Sequence, residues 1–242
     1  YNAGADITTG IQNTAVGAYA LDTSTTANSN VAVGYQALTA ATTGGTNVAI
    51  GVRALAAITT NTNCTAIGFD ALRYNTGADN TAVGSIALDA NTTGSQNVAV
   101  GKGALSANTT GGYNIAIGFN ALDANTTGSG NVSVGYNALT ASNADYNVAV
   151  GESALLSNTT GVRNVALGRQ ALEQNTTGQY NCALGYSALE ENTTASNNTA
   201  IGYKSLEANT TGAKNVAVGN YALDANTTAS TGAVSYTHLR AH

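Results

Sequence analysis

A glycine recurs along this chain at a nearly fixed interval, and that interval limits the possible folds more than any other feature. It stands at Gly17, Gly34, Gly51, Gly68, Gly84, Gly101, Gly118, Gly135, Gly151, Gly168, Gly185, Gly202 and Gly219. Ten of the intervals are 17 residues and two are 16. A unit this short cannot bury a core alone and must stack on its neighbours. The expected fold is all-β, a parallel β-solenoid (β-roll) of about 13 coils with 16–17-residue repeats spanning residues 1–234. At about 4.8 Å per coil that is a rod roughly 60 Å long, without ordinary domain boundaries.

A typical unit runs Asn97-Val98-Ala99-Val100-Gly101, then Lys102-Gly103-Ala104-Leu105-Ser106-Ala107, then Asn108-Thr109-Thr110-Gly111. The first five residues alternate with the period of a strand. The aliphatic side chains either side of the central Ala are expected inside the coil, with Leu closing the core from the opposite wall. Residues such as Arg169-Gln170-Ala171-Leu172-Glu173-Gln174 are helix formers. A short helical turn per coil is the preferred reading there, and a second short strand the alternative. The two 16-residue coils lose their residue near Asn75-Thr76-Gly77 and Ser142-Asn143-Ala144-Asp145, which marks that segment as an exposed loop.

Several columns repeat within the units. Asn at the strand entrance, from Asn13 to Asn215 and broken at Cys64, predicts an amide ladder in which each side chain donates to the next. The middle of the strand is Ala in twelve coils and Ser133 in the other. This face is expected to point away from the coil interior, and so uniform a small residue implies a close neighbour: another copy of the chain, or else the helical segment or a loop folded over it. Ala32, Ala49, Ala82, Ala99, Ala116, Ala149, Ala166 and Ala217 are therefore candidate interface residues with another copy of the chain. The Thr-Thr pairs read as turn chemistry. A rival reading takes them as the hydroxyl array of an ice-binding solenoid. The Asn-Thr-Thr triplets, such as that at Asn91, are also weak glycosylation sequons. Acidic residues after Leu (Glu173, Glu190, Glu207 and Asp224 in consecutive coils) read as a solvated face.

Charged residues are 9% of the chain, against about 25% in an average domain. The net charge of −5 argues against nucleic acid as a partner. No apolar run is long enough to insert in a membrane. No catalytic residues, metal ligands or cofactor motif emerge, so the chain does not read as an enzyme. His238 and His242 lie in the last eight residues. Cys64 and Cys182 fall seven coils apart, about 34 Å in a stack and beyond disulfide reach, with Cys182 expected to face inward. Tyr35, Tyr136, Tyr186 and Tyr203, which follow the marker glycine, are candidate contacts for a host glycan or protein receptor.

Asn47-Val48-Ala49-Ile50-Gly51-Val52-Arg53-Ala54 and its siblings resemble the YadA-type head repeats of trimeric autotransporter adhesins, and related bacterial and phage tail-fibre repeats. The resemblance covers roughly residues 6–230. Its units here are about three residues longer than the usual adhesin repeat. It implies a homotrimer exposed at a bacterial cell surface or on a virion, with a structural and adhesive role, binding a host or matrix surface multivalently. The chain carries no Met, as expected of a piece of a longer fibre or adhesin. Residues 235–242 resemble adapter read-through and read as a non-native tail, because Tyr236 stands where the next marker glycine is due.

Overall fold

A computed structural model describes residues 2–230 and the backbone of Val234–Tyr236. The chain forms two compact units, Tyr1–Gly128 and Ser129–His242, a division that the uninterrupted repeat does not predict. The first unit holds β1 (Thr14–Val16), β2 (Val31–Val33), β3 (Val48–Ile50), β4 (Thr65–Ile67), β5 (Thr81–Val83), β6 (Val98–Val100) and β7 (Ile115–Ile117). Each pairs in parallel with the next, so one strand is added per coil. The second unit repeats the plan with β8 (Val132–Val134), β9 (Val148–Val150), β10 (Val165–Leu167), β11 (Cys182–Leu184), β12 (Thr199–Ile201), β13 (Val216–Val218) and β14 (Val234–Tyr236). The all-β solenoid with its 17-residue spacing is thus the observed fold. Ser235 and Tyr236, assigned to the tail, pair with Ala217 and Val218 at a spacing of 18 residues. The rest of the expected tail, with His238 and His242, lies outside the described residues.

The two faces of the strands are the reverse of the expectation. Ala32, Ala49, Ala82, Ala99 and Ala116 in the first unit, and Ala149, Ala166 and Ala217 in the second, are fully buried. The residues on either side of them stand outward and are half-buried or exposed. The reason is the width of the coil. Leu, fully buried in nearly every coil, reaches in from the opposite wall beside a second Ala, as Leu105 and Ala104 do. At interior packing density that leaves room for a methyl group and not for Val. Ser133 takes the same inward place, its hydroxyl donating to the Ala138 carbonyl at 2.8 Å.

The preferred helical turn does not form; no described residue is helical. Instead the Ala-Leu segment alternates between right- and left-handed backbone: Arg53 has φ 55° and Leu55 φ 54° on either side of Ala54. The alternation aims successive amides at opposite neighbours. Arg53 N–H donates back to the Tyr35 carbonyl at 2.9 Å, and Leu55 N–H donates forward to that of Ala71 at 3.0 Å. A helix would satisfy those groups internally, but here the stacked coils supply the partners. The left-handed conformation costs a bulky residue about 1–2 kcal/mol. It persists because hydrogen bonds on both sides fix it. Marker glycine is needed for another reason. Gly101 has φ 133°, and a Cβ there would lie 2.4 Å from the Gly118 carbonyl oxygen.

Candidate interaction surface

Inside each unit two files of Asn tie coil to coil. At the strand entrance the Asn30 carbonyl oxygen of the side chain accepts from Asn47 N–H at 2.9 Å, while its Nδ2 donates to the Gly44 carbonyl at 2.9 Å. In the second unit Asn147 does the same with Asn164 N–H and the Gly161 carbonyl. This file therefore bonds mainly side chain to backbone, and not amide to amide as expected. The amide-to-amide ladder exists instead in the Asn-Thr-Thr column, the segment expected to be an exposed loop. Asn108 Nδ2 donates to Asn91 Oδ1 at 2.7 Å and to the Gly111 carbonyl at 3.0 Å. Asn175, Asn192 and Asn209 continue the pattern in the second unit. These are the Asn residues of the sequons. From Asn91 to Asn209 they are fully buried and their amide nitrogens are occupied, so the folded chain closes these to glycosylation; Asn226 is only half-buried.

Threonine also works between coils. The Thr92 hydroxyl donates to the Thr109 carbonyl at 2.9 Å, and Thr159 to that of Thr176 at 3.0 Å. The expected turn chemistry is thus directed at the next coil and not at local backbone. Most first Thr residues bond in this way, and the second Thr of the pair, such as Thr93 or Thr110, is exposed. The acidic column finds partners within its own coils: Gln170 Nε2 donates to Glu173 at 2.8 Å, and Lys204 forms an ion pair with Glu207 at 2.7 Å. Among the described residues no three His, Cys, Asp or Glu side chains gather to hold a metal ion.

The outward strand residues form the main apolar surface. In β7, Ile115 and Ile117 are 38% and 39% exposed; in β13, Val216 and Val218 are 44% and 47% exposed. Two outward side chains per coil, about 7 Å apart along the strand and about 4.8 Å between coils, make a stripe of roughly 300–350 Å² on each unit, aliphatic except where Thr14, Thr65, Thr81, Thr199 or a Cys replaces one of the two. An exposed stripe of that size, comparable to the largest apolar patch of an ordinary monomer, is the candidate contact surface. Cys182, expected inside, stands on this stripe as the first residue of β11 and is half-buried. Cys64 is the buried one, in the Asn file, where burial pushes its thiol above the ordinary range.

Aromatic side chains border the stripe. Tyr35, Tyr136, Tyr186 and Tyr203 are all exposed. Their faces are partly taken by neighbours: Tyr186 stacks on Tyr203 with centroids 5.3 Å apart, and Tyr203 meets Tyr221 edge-on at 5.2 Å. Arg169 lies over Tyr186 and pairs with Glu152 at 3.2 Å. On the other border Tyr146, Arg163 and Tyr180 occupy the position before the entrance Asn. Two signals could have revealed the true interior. The Asn of Asn-Thr-Thr recurs in every coil from Asn75 to Asn226 except at Ser142, and uniform Ala is what a narrow core demands. Compared with known proteins, the chain matches no family model, no curated protein and no solved structure.

Proposed function

We propose that this chain is a structural and adhesive repeat region of a surface adhesin or tail fibre, displayed outside a bacterial cell or on a virion. Copies associate through the outward aliphatic stripe, and the remaining faces meet a host or matrix surface. The observation that carries the reading is the stripe itself. Water contact along the Val, Ile and Leu side chains of its two files, which Thr14, Thr65, Thr81 and Thr199 interrupt, is unfavourable by about 25 cal/mol per Å². Every copy carries the same stripe, so identical chains can bury it against one another around a common axis. Three copies is the number implied by the resemblance to adhesin head repeats. Weak contacts repeated along such an assembly would add up to firm attachment.

Light scattering of the soluble chain tests the assembly, with a mass of three chains expected. A pair of neighbouring substitutions separates surface from core. Ile50→Glu places a charge on the stripe and should give folded monomers with an unchanged β-sheet circular dichroism spectrum. Ala49→Glu buries an unpaired carboxylate and should unfold the first unit, at a cost of about 3–5 kcal/mol. Beads coated with the wild-type protein should adhere to host cells. A monodisperse wild-type monomer, or Ile50→Glu that still assembles, would overturn the reading.

A further inference from the structure

Two arginines of the second unit lie against tyrosine rings, and only one has a counter-ion. Arg169 is over Tyr186 and is paired with Glu152. Arg163 lies between two rings, its guanidinium carbon 5.5 Å from the Tyr146 centroid and 5.7 Å from that of Tyr180. One of its nitrogens donates to the Tyr180 hydroxyl at 3.0 Å. No described carboxylate comes within 4.0 Å of it. The adjoining Asp145 accepts from Ser129 N–H at 2.7 Å. Tyr146 is 57% and Tyr180 50% exposed. Arg163 precedes the first residue of β10 by two positions, so the group stands at the rim of the aliphatic stripe, where an interface stays open to solvent.

We propose that Tyr146, Arg163 and Tyr180 bind an acidic glycan, a chain carrying hexuronate sugars. The guanidinium donates to a sugar carboxylate in a charge-assisted pair. The rings in the coils before and after receive the C–H faces of the flanking sugars. The spacing favours a glycan over an acidic peptide. Successive coils lie about 4.8 Å apart, near the length of one pyranose unit, whereas extended peptide residues recur every 3.4 Å or so. The net negative charge of the chain acts at long range and is screened beyond about 10 Å at 0.1 M salt. The proposal names a ligand class for the adhesive reading and rests on it.

The test is titration calorimetry of the full chain with tri-galacturonate and with its methyl ester, at 0.1 M salt. The acid should bind and the ester at least about tenfold more weakly, the ratio expected when a charged partner is lost. Arg163→Gln should lose binding by a similar factor with melting temperature and assembled mass unchanged. Arg163→Lys, which keeps the charge and loses the planar stack, should fall between. Equal binding of acid and ester, indifference to Arg163→Gln, equal displacement by oligo-glutamate, or no binding at millimolar acid would each overturn the site. Light scattering on the same samples keeps the two ideas apart. A trimer that does not bind removes the glycan site alone, and a monomer that binds removes the assembly alone.

Discussion

Within the first unit, the coils up to residue 79 and those that follow solve the same interior problem differently. Three residues after each buried Leu, the earlier coils place Ser24, Ala41 and Ile58, all fully buried. From Asn75 onward that position is an amide, and Asn91, Asn108 and Asn125 link successively. An apolar side chain can fill the site alone. An amide is tolerable only with partners on both sides, so amides come in runs. Ser24 shows the cost of a lone polar group, since its hydroxyl finds no partner. The earlier coils also interrupt the entrance file at Cys64. They carry instead an ion-pair cluster, with Arg53 bonded to Asp70 through two 2.7 Å contacts and Arg73 3.5 Å from the same carboxylate. Stacking by hydrogen-bonded files and stacking by fillers and ion pairs are thus interchangeable within one fold.

The sharpest way to break that equivalence is to exchange the two solutions. Asn108→Leu keeps the branched shape and removes the amide, leaving Asn91 Oδ1 without its donor while the Gly111 carbonyl keeps only Asn97 Nδ2. Asn125 loses one of its two acceptors as well. A buried unsatisfied group costs about 1–3 kcal/mol, so the first unit should lose about 2–3 kcal/mol in chemical denaturation. The converse, Ile58→Asn, should cost less than about 1 kcal/mol. Its new oxygen lies one coil below Asn75 and can join the ladder. If Asn108→Leu is as stable as the parent, the ladder is ornamental and the comparison fails.

Much of the fold is legible in the sequence, because period and register are one-dimensional properties. The 17-residue spacing of glycine fixes parallel coils, and the alternation at Val98-Ala99-Val100 fixes a strand. Alternation alone does not say which face is inside. Reading Val and Ile as core is the usual choice, but the interior dimension is set by Leu105 and Ala104 across the coil, a contact distant in sequence from Ala99. The left-handed Arg53 and Leu55 were hidden for a similar reason. Local propensity favours a helix there, and only hydrogen bonds to neighbouring coils make the alternative stable. The interaction surface was half legible: the flanking tyrosines are visible as columns, whereas the aliphatic stripe between them was assigned to the core.

A smaller effect is expected on restoring the entrance file. Cys64 N–H still donates to Asn47 Oδ1 at 2.9 Å, but the thiol gives the Gly77 carbonyl only a 3.4 Å contact and leaves the Asn80 amide facing sulfur. In the regular coils Asn80 Oδ1 accepts from Asn97 N–H at 2.9 Å, and Asn97 Nδ2 reaches the Gly111 carbonyl at 2.9 Å. Cys64→Asn should supply both bonds and stabilise the first unit by about 1 kcal/mol. Calorimetry would show a higher melting temperature. A decrease would mean that the 16-residue coil is too tight for the amide, which would sharpen the comparison by tying Cys64 to the shortened loop.

The smallest effect sits where the two kinds of coil meet. Burial raises the Asp89 carboxyl above its ordinary range, with repulsion from Asp70 adding to it and attraction from Arg73 opposing it. A carboxyl raised in the folded state binds more protons folded than unfolded. Its contribution to stability is therefore complete below the unfolded value of about 3.9 and declines as pH rises through the folded one. Asp89→Asn removes the titration. Variant and parent should melt together near pH 3, and the variant should gain progressively above about pH 4 before reaching a plateau. The gain is expected to be well under that of Cys64→Asn, because the carboxyl is only partly buried and solvent screens it. High salt should change it little if burial dominates. A gain abolished by salt would instead make Asp70 the principal cause and place Asp89 inside the ion-pair cluster of the earlier coils.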